Sequence, residues 1–129
     1  MVWVDLVTLL AILQYFCFVF LVGKARAKHG IRAPAIIGHE EFERYFRVQQ
    51  NTLETLIMFL PALWIAAHYW SSTWMALVGA IYLVGRVLYL ASYVRNPSQR
   101  TLGYALSIGP VGFLVGAGFL GIAMAIIKA

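Results

Sequence analysis

Four long apolar runs constrain this chain more than any other feature, because they exceed what a soluble domain of this size can bury. Hydrophobic residues make up 62% of the 129 positions and charged residues only 12%, and the mean hydropathy is +0.80. A helix that crosses the roughly 30 Å hydrocarbon core needs about 20 apolar residues, so there is room for about four spans. The sequence therefore predicts an all-α fold, an integral membrane four-helix bundle in which residues 1–129 form a single domain.

The limits of the apolar runs predict where each helix crosses the membrane. The four predicted spans are residues 2–23, 52–67, 73–93 and 102–127. A polar helical segment that starts at about Glu41 extends the second span at its front. The segment between the third and fourth spans contains Asn96-Pro97-Ser98, which is typical of a turn. Short loops between four spans predict antiparallel helices.

The basic residues indicate how the chain is oriented. There are ten Lys and Arg against five Asp and Glu, and they are interleaved with the spans instead of forming a basic face, so no nucleic-acid partner is expected. Two of the loops are basic: Lys24, Arg26, Lys28 and Arg32 lie in the first, and Arg95 and Arg100 in the third. The positive-inside rule places these two loops in the cytoplasm and both termini on the opposite side.

Two polar stripes run into the apolar spans at helical spacing. They consist of Arg44, Arg47, Asn51 and Glu54 on the second helix, and of Tyr82, Arg86, Tyr89 and Tyr93 on the third. Interfacial snorkelling explains Arg44 and Tyr82 best. It fits Glu54 and Arg86 poorly, because an ionised group roughly two turns inside an apolar run costs several kcal/mol unless it is paired or hydrated. These two residues need partners or a ligand.

The chemistry of the stripes suits a small, anionic, zwitterionic peptide. Its carboxylates would pair with guanidinium groups, and its ammonium or amides with Glu54 and Asn51. Arg100, at the mouth of the fourth helix, would face a thiol, whose ionisation a nearby fixed positive charge favours. Two alternatives stay open at this point: an ion-pair cluster that only joins helices, and a purely topogenic role for Arg100.

The same residues carry a resemblance to a known family. The run 43–54, ERYFRVQQNTLE, the run 85–93, GRVLYLASY, and Arg100 beyond them resemble the MAPEG family, membrane-associated proteins in eicosanoid and glutathione metabolism. The likeness covers nearly the whole chain. It implies a homotrimer of four-helix subunits with glutathione bound between adjacent subunits as co-substrate.

The resemblance also implies roles for individual residues. Glutathione would be held by Arg47, Asn51 and Glu54 of one subunit, with Arg26 and Gln49 as additions, and by Tyr89, Tyr93 and Arg100 of its neighbour. Arg100 matches the family's thiolate-stabilising arginine and is the expected catalytic residue, while Arg86 is expected to support the site. Thr55 stands where the leukotriene synthase branch has a tyrosine, which argues against leukotriene synthesis.

The function implied is that of a membrane-bound glutathione transferase or peroxidase. The thiolate would attack a hydrophobic electrophile or a lipid hydroperoxide that arrives from the bilayer. One alternative is a non-catalytic lipid-binding or scaffold protein of the same fold. Another is a small multidrug transporter, whose intramembrane glutamate would exchange protons and cations. No metal is expected, because His29, His39 and His68 lack the spacing of helical metal ligands.

Overall fold

Four long α-helices make up nearly the whole molecule. The computed structural model describes all 129 residues, with helices α1 Val2–His29, α2 Glu40–Tyr69, α3 Ser72–Arg95 and α4 Thr101–Lys128, and a single 3-10 turn at Pro97–Gln99. Each of the four α-helices is long and apolar enough to cross a membrane. The all-α fold and the four predicted spans are confirmed, whereas the homotrimer stays a prediction.

The helices alternate in direction, as contacts at their ends show. The amino group of Met1 lies 3.5 Å from Ser72 Oγ, so α1 and α3 start at the same end. Trp70, which follows α2, donates its indole N–H to the carbonyl oxygen of Ala117 at 2.8 Å. The second half of α4 therefore lies at the same end of the bundle as the end of α2. Both termini therefore share one end of the bundle with the α2–α3 loop. The α1–α2 and α3–α4 loops lie at the opposite end of the bundle, the two-loop end.

The first loop is held by contacts between the end of α1 and the start of α2. Gly30 ends α1 in the left-handed conformation, with φ of 66°, which glycine adopts without steric cost. Lys28 and His29 both contact a carboxylate oxygen of Glu41, at 2.9 and 3.0 Å. The hydrogen bond from His29, followed by that from Lys28, lowers the pKa of this surface carboxyl to about 2.

Helices α2 and α3 are central to the bundle, because each contacts the other three α-helices, while α1 and α4 hardly touch. The largest apolar cluster of the bundle includes Phe59, Leu63 and Leu114, all fully buried. The outward surface is equally apolar: Phe16 and Phe119 are each 71% exposed. An exterior of this kind suits lipid or a neighbouring subunit and not water.

Helices α3 and α4 approach closely because glycines lie at their contact. A Cβ atom on Gly85 would lie 2.6 Å from the backbone of Leu106, and one on Gly103 would lie 2.4 Å from the backbone nitrogen of Tyr89. By contrast, Gly112, further along α4, has nothing within 4 Å of its added Cβ. Gly85 and Gly103 therefore permit the close approach of α3 and α4 in the half of the bundle nearer the two-loop end.

Replacing Gly85 should consequently separate α3 from α4. We expect Gly85→Ala to lower the free energy of unfolding by about 1–3 kcal/mol, because the new methyl group meets backbone that cannot move aside cheaply. Unfolding in mixed detergent micelles measures the change. The matched control is Gly112→Ala, whose methyl group enters open space and whose effect should stay within about 1 kcal/mol. Equal loss in the two variants would contradict the close approach.

Candidate functional site

The two polar stripes meet in a cavity at the two-loop end. This polar cavity has a volume of about 420 Å³ and is lined by Arg47, Gln50, Asn51, Glu54, Tyr89, Tyr93 and Arg100. The first four residues belong to α2 and the two tyrosines to α3, and Arg100 immediately precedes α4. Six of the eight residues expected to contact a ligand thus line one cavity.

A single chain assembles this set, which differs from the division expected from the resemblance. Tyr89, Tyr93 and Arg100 were expected to reach the site from a neighbouring subunit, yet they line the cavity of the same chain as Arg47 and Glu54. The cause is the short connection: α3 runs antiparallel to α2, and the turn at Pro97–Gln99 returns the chain beside α2 at once. No second subunit is needed to bring these residues together.

Arg26 and Gln49 lie away from the polar cavity. Arg26 donates to the carbonyl oxygen of Ala35 at 2.6 Å, and its guanidinium carbon lies 4.7 Å from the centre of the Phe42 ring. Gln49 donates its amide N–H to the hydroxyl of Tyr15 at 3.2 Å. Both side chains therefore contact the first loop or α1 and do not line the cavity of their own chain.

Gln50 lines the cavity although it was not among the expected residues. The signal for it was present in the sequence: Gln50 comes three residues after Arg47 and four before Glu54, which is the spacing of one helix face. Gln49, by contrast, is two residues from Arg47 and so points to a different side of α2.

The charged residues of the cavity keep most of their binding capacity free. Arg47 and Glu54 take part in none of the ion pairs of the chain. Arg100 donates one hydrogen bond, to the carbonyl oxygen of Pro97 at 2.9 Å, and its side chain is exposed. Two guanidinium groups and one carboxylate are therefore available to a ligand that carries both signs of charge.

Arg86 lies beneath the cavity and is fully buried. Its Nη1 donates to Asn51 Oδ1 at 2.7 Å and to Thr52 Oγ1 at 3.1 Å, and its Nε donates to Ser107 Oγ at 2.8 Å. Because arginine only donates, the Asn51 oxygen faces Arg86 and the Asn51 amide N–H groups remain free for a ligand. Arg86 thus orients a residue of the cavity from behind.

No carboxylate balances the charge of Arg86. Its three acceptors are neutral, and its Nη2 has no hydrogen-bond partner. The guanidinium carbon lies 4.4 Å from the centre of the Tyr89 ring, a cation–π contact that offsets part of the cost. A buried cation without a counter-anion is expensive in a membrane, so this arrangement is unusual for a purely structural arginine.

The interfacial position expected for Tyr82 is wrong. Its side chain is fully buried, its hydroxyl lies 3.0 Å from Thr55 Oγ1, and its ring stacks on Phe59 with centroids 3.9 Å apart. Tyr82 lies on the α3 face turned toward α2, where a buried hydroxyl acceptor is available. Thr55 is therefore part of the core and not of the cavity wall.

Two further spaces adjoin the polar cavity. An outer cavity of about 500 Å³ shares Arg47 and Tyr93 with it and also contains Glu40, Glu43 and Arg44. On the other side, an apolar groove of about 330 Å³ lies between α2 and α4 and begins at Ile57 and Met58, one turn beyond Glu54. Pro61 of α2 also lines this groove. Charged and apolar spaces thus follow one another along the same face of α2.

These features define a multi-pass membrane protein with a polar, charged cavity at one end of its bundle. Residues 4–120 match the sequence model of the MAPEG family. The chain is 46% identical over 118 residues to an uncharacterised protein of Synechocystis sp., covering 91% of this chain and 86% of that protein. The chain therefore belongs to the MAPEG family, as its resemblance predicted.

Two named relatives extend the comparison. Human microsomal glutathione S-transferase 2 is 39% identical over 117 residues, which cover 91% of this chain and 80% of that protein. Leukotriene C4 synthase of Cavia porcellus is 35% identical over 117 residues, covering 84% of this chain and 78% of that protein. Relatives of both kinds thus match most of the chain.

Arg44 should hold the third loop in place and not bind the ligand. Its Nη1 donates to the carbonyl oxygens of Val94 and Arg95 at 3.1 and 3.2 Å, at the end of α3. We expect Arg44→Met to speed amide hydrogen exchange in residues 96–100 about three- to tenfold, corresponding to about 1 kcal/mol of local stability. Arg95→Met removes an exposed guanidinium nearby and should leave exchange unchanged. Unchanged exchange in Arg44→Met would contradict this role.

Proposed function

We propose that this protein is a membrane-bound glutathione transferase that activates the thiol of glutathione as a thiolate for attack on hydrophobic electrophiles. One observation carries the proposal: Arg47, Arg100 and Glu54 line a single polar cavity without pairing with one another. Glutathione has two carboxylates, one ammonium, amides and a thiol, and so offers a complementary group to each of them. The names of the relatives point to the same chemistry.

Each wall of the cavity has a distinct part in binding. Arg47 binds a carboxylate of glutathione, and Glu54 accepts hydrogen bonds from its ammonium. The free N–H groups of Asn51 donate to a carboxylate or amide oxygen, since the oxygen of Asn51 is already taken by Arg86. Tyr89 and Tyr93, whose rings stack with centroids 5.4 Å apart, add hydroxyl groups and exclude water on the α3 side.

Arg100 is the catalytic residue of the proposal. A free thiol ionises at about pH 8.5, and a fixed positive charge next to it increases the thiolate fraction at neutral pH. Arg100 suits the role of stabilising the thiolate because its guanidinium stays charged at any accessible pH. The guanidinium donates only one hydrogen bond within the chain, to the Pro97 carbonyl.

Conjugation requires only the thiolate and an electrophile, whereas peroxide reduction also consumes a second glutathione. The sulfur attacks an electrophilic carbon, a carbon–sulfur bond forms, and the leaving group departs with the electron pair of the bond that breaks. With a lipid hydroperoxide, the sulfur attacks the terminal oxygen, the O–O bond breaks, and the alkoxide takes a proton to leave as an alcohol. The sulfenic acid then condenses with a second glutathione to give the disulfide and water.

The apolar groove is where the second substrate would approach. It is lined mostly by aliphatic side chains, and it begins one turn beyond Glu54 on the same helix face. An apolar electrophile or lipid hydroperoxide dissolved in the bilayer reaches the thiolate along this groove without entering water. Holding the two poorly miscible reactants together supplies the proximity that catalysis requires.

The assembly completes the proposal. We take the protein to be a homotrimer with its sites between subunits, a single domain of residues 1–129, and its two-loop end in the cytoplasm. Arg26 and Gln49, which do not line the cavity of their own chain, would then contact the glutathione of a neighbour. Trimer formation thus adds residues to a site that one chain has already assembled.

Removing Arg100 should abolish thiolate formation. In detergent-purified parent protein, glutathione should produce ultraviolet thiolate absorbance that an aryl halide then consumes. Arg100→Ala should lose the absorbance and slow the conjugation about a hundredfold, because no fixed charge then stabilises the sulfur anion. Arg95→Ala, an exposed arginine of the same connection, is the control and should behave like the parent. A folded parent that neither binds nor ionises glutathione would leave the lipid-binding scaffold as the better account.

Glu54 should recognise the ammonium of glutathione. The parent should bind glutathione about tenfold or more tightly than glutaryl-cysteinyl-glycine, which lacks the ammonium, because a charge-assisted hydrogen bond is lost. Glu54→Gln should bind the two ligands about equally in calorimetric titrations. Glu43→Gln changes a carboxylate of the outer cavity and should keep the parent's preference. If Glu54→Gln keeps that preference too, Glu54 has another role.

A further inference from the structure

The uncompensated charge of Arg86 has a consequence for the ligand above it. The guanidinium is fully buried, is bonded only to neutral acceptors, and has one nitrogen without a partner. It contacts the cavity wall from behind, through Asn51 and the ring of Tyr89. In a medium of low dielectric constant such a charge acts over several ångströms, and an anion placed in the cavity is the nearest means of balancing it.

The charges of the cavity and of glutathione can be compared directly. The wall carries one net positive charge, from Arg47 and Arg100 against Glu54, and Arg86 raises this to two. Glutathione carries one net negative charge as a thiol and two as a thiolate. The wall alone therefore balances the thiol form, and only with Arg86 included does the site balance the thiolate form.

We infer that Arg86, without touching the substrate, supplies the charge that allows the cavity to hold glutathione as a thiolate rather than as a thiol. Arg86 is in this sense a positioning residue that acts through the field of its charge and through Asn51. The inference rests on the proposed function. The two arginines then have different roles. Arg100 contacts the sulfur, and Arg86 sets the net charge of the site around the sulfur.

The neighbouring helices place few other ionisable groups near Arg86. The ionisable side chains near Arg86 or the cavity are Arg47 and Glu54 on α2, Tyr82, Tyr89 and Tyr93 on α3, and Arg100 and Tyr104 before and on α4. On α1, Tyr15 is bonded to Gln49 instead. Glu54 is the only carboxylate of the set, so no other acidic side chain near Arg86 balances its charge.

The first test varies the charge of Arg86 while glutathione is kept at saturating concentration. The pH at which half of the bound thiol is ionised is read from thiolate absorbance. A unit charge about 10 Å away, at an effective dielectric constant of about 20, shifts this ionisation by about one pH unit. We expect Arg86→Gln to raise the half-ionisation pH by about that amount and Arg86→Lys to restore it.

The second test serves if Arg86→Gln fails to fold. It keeps Arg86 and balances its positive charge with a carboxylate introduced on α4. Ser107, which accepts the Nε hydrogen bond, is replaced by Asp or by Asn, two side chains of equal size that differ in charge. Ser107→Asp should raise the half-ionisation pH by about one unit relative to Ser107→Asn. If Arg86 had only a structural role, both variants would bind glutathione more weakly to the same extent, and the half-ionisation pH would be the same in both.

The parent separates failure of this inference from failure of the proposed function. If the parent protein forms no thiolate with glutathione, the proposed function fails and the inference fails with it. If the parent forms thiolate and ionisation occurs at the same pH in both members of every pair that folds, the inference alone is overturned. A shift that follows the charge, in the Arg86 pair or in the Ser107 pair, supports it.

Discussion

The hydrogen bonds of the Arg86 guanidinium are the interaction on which the rest of the structure depends. One side chain from α3 reaches Asn51 and Thr52 on α2 and Ser107 on α4, so it joins three of the four α-helices at one level. Breaking one partner would leave a buried charge still less satisfied, which costs several kcal/mol. The relative rotation of these helices is thereby restricted.

That restriction determines where the polar residues lie. With α2, α3 and α4 held together by Arg86, the stripe of α2 and the tyrosines of α3 face one cavity, and the short turn after α3 brings Arg100 to its rim. Glycines at positions 85 and 103 let α3 and α4 approach closely at the same level. The contacts that pack the helices therefore also shape the cavity. The unpaired charged groups of the cavity point away from these contacts and are available to a ligand.

Much of this could be predicted from the sequence because membrane helices leave a strong signal. Apolar length predicted the four spans, and three- and four-residue spacing predicted the faces that carry Arg47, Glu54 and Tyr89. Spacing cannot tell which neighbour a face meets, and that depends on packing. Hence the expected interfacial position of Tyr82 is wrong, since its side chain is buried. Gln49 came from the resemblance, whereas helical spacing favours its neighbour Gln50, which lines the cavity. The division of the site between subunits came from the resemblance alone.

We propose that glutathione binds in the polar cavity that one chain assembles, because the charges of that cavity complement those of the tripeptide. The most direct test is a structure of the protein with glutathione in a lipid bilayer. We expect the tripeptide in this cavity, with its sulfur beside Arg100 and its ammonium at Glu54 of the same chain. Glutathione bound elsewhere, or bound with its sulfur remote from Arg100, would contradict it.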